Sequence, residues 1–146
     1  MIGMKIDFNN DKTIIYLYQD KLDFDNIDKL NKEIKDIFIK LIKIYHLDFF
    51  GYFKVHIYEN KKYGCILEIE KKFGNEFNID IIDLKLVIHK DSPFYLEMND
   101  YLFDYKIDNL QVINNKYYVN IDDLDNLNKY IEYGKIIYKK ESLKKK

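Results

Sequence analysis

Ile27, Leu30, Ile34, Ile37, Leu41 and Ile44 recur at alternating steps of three and four, and this spacing constrains the fold more than any other feature of the chain. It sets all six side chains on one face of a helix over residues 23–47. Phe38, Ile42 and Tyr45 widen the stripe, while Lys29, Lys32, Lys35, Asp36, Lys40 and Lys43 lie elsewhere. Asp23, Asp25 or Asn26 supplies an N-cap acceptor, and Asp48 to Gly51 ends the helix. The heptad lasts under three full repeats, too short for a coiled coil, so a sheet is the expected cover. Ile37, in the middle of the stripe, is expected to be buried.

The flanking segments supply that sheet. Met4 to Phe8 and Thr13 to Tyr18, joined by Asn9-Asn10-Asp11, read as a hairpin. Tyr52 to Tyr58 alternates without a break, with Phe53, Val55 and Ile57 on one side and Tyr52, Lys54, His56 and Tyr58 on the other. After a turn at Glu59 to Tyr63, Gly64 to Lys71 returns with Cys65, Leu67 and Ile69 on its apolar face; Phe73-Gly74-Asn75 marks a loop. Ile79 to His89 follows, with Ile82, Leu84, Leu86 and Ile88 opposed to Asp83, Lys85, Val87 and His89. Asp91-Ser92-Pro93 is a turn, and Phe94 to Met98 and Tyr101 to Asp104 are short strands. Leu110 to Ile113 and Lys116 to Ile121 form a hairpin about Asn114-Asn115. Asp122 to Tyr133 reads as a second, short helix ended by Gly134, and Lys135 to Tyr138 as a last strand. The expected fold is α+β, an antiparallel sheet with one long amphipathic helix on a face and a second short C-terminal helix. Residues 1–138 form a single domain, followed by a lysine-rich tail over 139–146.

Composition narrows the chemistry. Alanine, arginine and tryptophan are absent, and lysine, isoleucine, asparagine and tyrosine abound, a pattern that AT-rich codons produce and that suggests a bacterial source. Without arginine the chain lacks the planar fork used for phosphate and guanine recognition. With a net charge of −1 it also lacks a field that would steer it to nucleic acid. Five lysines in the tail offer only weak, salt-sensitive affinity. No run approaches the roughly 18 apolar residues of a membrane span, and Met1 to Asp7 lacks the apolar region of a signal peptide. A cytoplasmic location is the expectation, and one cysteine fits a reducing compartment.

Catalytic and metal-binding patterns are sparse. Thr13, Ser92 and Ser142 are the only hydroxyl nucleophiles besides tyrosine, in a strand, a turn and the tail. Cys65 falls on a core face, where a thiol behaves as a small hydrophobe. His46 ends the helix, where a positive charge suits the dipole. His56 and His89 lie on polar strand faces; were their strands neighbours, the rings would meet, and a carboxylate such as Asp83 would complete a metal site. No calcium loop and no glycine-rich phosphate loop occur, so no cofactor is expected. The remaining signal is tyrosine. Tyr52 and Tyr58 share an outward face with Lys54 and His56, and exposed tyrosine is favoured at protein interfaces.

Asn115-Lys116-Tyr117-Tyr118-Val119-Asn120-Ile121-Asp122, followed by Tyr130-Ile131-Glu132-Tyr133-Gly134-Lys135-Ile136-Ile137, resembles the C-terminal domain of MecA-type adaptor proteins of Gram-positive bacteria. The β-run, helix and two strands at the start also follow the order of that family's N-terminal domain. The resemblance covers about thirty residues. It departs from the family in the short helix between the two motifs and in the missing acidic linker. It implies an adaptor that delivers substrates to a Clp-family unfoldase and is not itself an enzyme. The function expected is therefore non-enzymatic protein binding through Tyr52, Lys54, His56 and Tyr58, with another protein as partner. The alternative is a small enzyme or metal-binding protein that uses His56, His89 and nearby carboxylates.

Overall fold

A computed structural model describes residues 3–9, 12–19, 22–47, 49–73, 81–98, 111–113, 116–124, 127 and 134–139. The chain divides into two compact units, residues 1–59 with 64–89 and residues 60–63 with 90–146. The class is α+β, with a single α-helix among strands in the described residues.

In the first unit, strands β1 (Gly3–Asn9), β2 (Lys12–Tyr18), β3 (Gly51–Asn60), β4 (Gly64–Phe73) and β5 (Ile82–His89) form a sheet in the order β1-β2-β4-β3-β5, with helix α1 (Ile27–Tyr45) packed on one face. β1 and β2 pair antiparallel, Ile6 opposite Ile15, and β2 pairs antiparallel with β4, Leu17 opposite Cys65. The three-residue connection from β3 to β4 leaves room only for an antiparallel hairpin. The pair β3–β5 departs from the antiparallel expectation and runs parallel, Val55 in register with Leu86. The cause is positional. β2 already occupies the other flank of β4, so the strand that follows β4 takes the outer flank of β3. It enters at the end where β3 begins and therefore runs in the same direction.

Asn26, one of the three expected caps, starts α1: its Oδ1 accepts a hydrogen bond from the Lys29 backbone N–H at 3.1 Å. His46 closes the helix in the left-handed region at φ 57°, donating its backbone N–H to the Ile42 carbonyl. The buried seam of α1 is Leu30, Ile34, Phe38 and Leu41. The expected seam is thereby corrected: Ile37 is half-buried at its margin, and Ile27, Ile44 and Tyr45 at the two ends are exposed. A helix laid across a twisted sheet loses contact at both ends, and the wide Phe38 ring takes the central position. Phe38 meets Phe53 edge to face at 5.2 Å and Phe49 at 5.0 Å, with Val55, Ile57, Leu67 and Cys65 completing the core around it.

The second unit holds β6 (Tyr95–Met98), β7 (Gln111–Ile113), β8 (Lys116–Asn120) and β9 (Lys135–Ile137) in the order β7-β8-β6-β9, all antiparallel. Phe94, Leu96, Val119 and Ile121 are fully buried in it. Asn60, 4 % exposed, ties the turn at 60–63 to this unit. Its Oδ1 accepts from the backbone N–H groups of Lys62 and Tyr63, and its Nδ2 donates to the Ser92 carbonyl at 2.9 Å. Gly134 lies where an added Cβ would stand 2.4 Å from Leu96 Cδ1, so close approach is one reason for glycine there. Ile121–Asp123 forms one 3-10 turn, capped by Asn120 Oδ1. The remainder of the helix expected over Asp122–Tyr133, apart from Leu124 and Leu127, lies outside the described residues. So do the strand expected at Tyr101 to Asp104, the Asn10-Asp11 and Asn114-Asn115 turns, and the tail beyond Lys139.

Candidate functional site

The face of the five-stranded sheet turned away from α1 carries the residues singled out by their chemistry. The alternation of β3 holds in the structure: Phe53, Val55 and Ile57 are buried, and Tyr52, Lys54, His56 and Tyr58 occupy the opposite face. β5 alternates in phase, with Ile82, Leu84, Leu86 and Ile88 turned to the core and Asp83, Lys85, Val87 and His89 turned the other way. Because the two strands are parallel and in register, their outward residues stand in rungs: Tyr52 beside Asp83, Lys54 beside Lys85, His56 beside Val87 and Tyr58 beside His89.

Parallel pairing brings the two histidines into contact. His56 Nδ1 and His89 Nε2 are 2.9 Å apart, a hydrogen bond in which one nitrogen donates and the other accepts. The ring centroids are 5.2 Å apart and the planes differ by 20°. That separation is the nitrogen–nitrogen distance plus one ring radius at each end, so the imidazoles meet edge to edge in nearly one plane. The Tyr58 ring lies on the face of His89, 5° from parallel with centroids 4.4 Å apart. His89 is thus held through its edge by one neighbour and through its face by another.

Asp83 does not join them. It stands beside Tyr52, six residues along β5 from His89 and about 20 Å away. Among the described residues no group of three histidine, cysteine or carboxylate side chains is arranged to hold a metal ion. Cys65 is buried in the core, as its strand position implied.

Further along the same face, carboxylates and lysines pair. Glu68, 5 % exposed on β4, lies 3.4 Å from Lys12 Nζ. Glu70 lies 3.1 Å from Lys72 Nζ, and that hydrogen bond and charge, with smaller contributions from Lys12 and Lys54, hold its carboxyl below the usual range. Tyr16 stands among these groups beneath Lys5. Burial pushes its hydroxyl up to about 12, assisted by the charge of Asp7, a hydrogen bond to it, and the charge of Glu68.

Two adjacencies on the face escape sequence reasoning. Lys85 becomes a neighbour of Lys54, and Tyr58 a stacking partner of His89, only once β5 is placed beside β3. The matching alternation of the two segments marked both as sheet strands without saying which strands are neighbours. No family model, curated protein or solved structure matches this chain.

Proposed function

We propose that the chain is a non-enzymatic protein-binding or adaptor protein that docks its partner on the outward face of β3 and β5. The observation that supports this reading is the ladder itself: Tyr52, Lys54, His56 and Tyr58 project from one side of β3 and are extended sideways by Lys85 and His89. From Tyr52 to Tyr58 the ladder spans about 20 Å, a length suited to an extended protein contact. Tyrosine contributes large contact area there at small entropic cost. The resemblance of residues 115–122 and 130–137 to MecA-type adaptors adds to this reading, and a bacterial, cytoplasmic setting is part of the same proposal. Co-purification from the native host tests it. Tyr52→Ala and Tyr58→Ala are expected to leave the fold intact and to deplete the partner that the unaltered chain retains. Retention of the same partner by the double variant would refute it.

A second reading is favoured by the 2.9 Å histidine contact, namely metal binding or proton transfer at His56 and His89. Calorimetric titration with zinc separates the two. Stoichiometric binding that is lost in His56→Asn would favour the second reading. Protein binding is preferred because Asp83 stands apart and the described residues add no third ligand.

A further inference from the structure

We infer that the occupant of this face is an extended, acidic peptide segment; this rests on the docking reading above. Lys54 and Lys85 are direct neighbours on parallel strands, on the same face. Like charges opposite one another cost stability in a sheet. Glu68 pairs with Lys12 and Glu70 with Lys72; Lys54 acts on Glu70 only as a smaller electrostatic contribution, and no ion pair to Lys54 or Lys85 lies among the described residues. A partner carboxylate placed over that rung relieves the repulsion of both ammonium groups at once.

Two rungs further on stands the hydrogen-bonded His56–His89 pair, with the Tyr58 ring parallel to His89. The charged side chains on this face are Lys54 on β3, Asp83 and Lys85 on β5, Glu68, Glu70 and Lys72 on β4, Lys12 on β2, and Lys5 and Asp7 on β1. From the Lys54–Lys85 rung to the Tyr58–His89 rung is four residues, about 13 Å, so a strand with carboxylates on alternate residues reaches both positions.

Peptide is favoured over nucleic acid on two grounds. The chain has no arginine and a net charge of −1, which gives a phosphate polymer no long-range attraction. In addition, the ladder presents Tyr52 and Tyr58, and tyrosine is enriched at protein contacts.

The test uses the full chain and three probes: a short capped peptide of alternating valine and glutamate, its valine–glutamine analogue, and oligothymidylate. At about pH 6 the glutamate peptide is expected to bind about tenfold more tightly than the glutamine peptide, the worth of two modest ion pairs. Lys54→Gln with Lys85→Gln should remove most of the preference for the glutamate peptide over the glutamine peptide. Circular dichroism of each variant confirms that the fold is kept. Equal affinity for the two peptides, or binding of neither, overturns the acidic occupant while the docking reading still stands or falls by the tyrosine variants. Preferential binding of oligothymidylate overturns it in favour of nucleic acid.

Discussion

The two faces of the five-stranded sheet are made from the same strands and obey opposite rules. Beneath α1, Phe53, Val55, Ile57, Leu67, Leu84 and Leu86 pack around Phe38, and volume and apolarity decide what is tolerated. On the other side of β3 and β5 identity decides, whereas Ile14 of β2 and Ile66 of β4 on that side are buried. A 2.9 Å nitrogen–nitrogen contact requires two imidazoles, and adjacent ammonium groups matter only because both are lysines. On β3 and β5 a single period-two pattern thus separates stability from chemistry, and substitutions on the two sides of these strands should fail in different ways.

The largest expected effect is on the inner face. Phe38→Ala should cost about 3–5 kcal/mol by chemical denaturation, because a fully buried ring is lost and a cavity remains. Ile37→Ala should cost less than about 2 kcal/mol, since Ile37 sits at the margin of the seam. Equal costs would mean that α1 is rotated from its described position. In the second unit, Gly134→Ala should destabilise by about 1–3 kcal/mol, because the new Cβ meets the buried Leu96 side chain. An unchanged melting temperature would show that this contact relaxes freely. On the outer face, Tyr52→Ala should change stability by less than about 1 kcal/mol; unfolding would place that ring in a core and erase the contrast between the faces.

The smallest effect is confined to alkaline pH. The Tyr16 hydroxyl titrates near 12 in the folded chain, against an ordinary value near 10. The folded state therefore holds its proton where the unfolded state has lost it. Stability should fall as pH rises through the interval from about 10 to about 12, and Tyr16→Phe should flatten that fall. An identical alkaline limb in the variant would assign the loss to other groups.

Much of the first unit was legible in the sequence, for identifiable reasons. The 3.6-residue spacing marked α1, and the unbroken alternations of 52–58 and 82–89 sorted their faces correctly, because a residue on a pleated strand has only two sides. The centre of the helix seam was not legible. Periodicity places Ile37 in the stripe but carries no information about the tilt of the sheet beneath, which seats Phe38 at the centre. Strand neighbours were not legible either. Alternation gives the face of His89 but not its adjacency to His56, which follows from β2 having taken the other flank of β4. The site was therefore half readable: its residues came from the pattern, and their meeting came from the topology.

A photo-crosslinking scan tests the docking face most directly. A photoreactive side chain is placed in turn at Tyr52, Lys54 and Lys85 on the outward rungs, and at Lys32 and Lys40 on the solvent side of α1, and each chain is irradiated in extract of the native host. The expected result is one common protein adduct from the three sheet positions and none from the two helix positions. An adduct from the helix positions alone, or the same adduct from all five, would contradict a partner seated on β3 and β5.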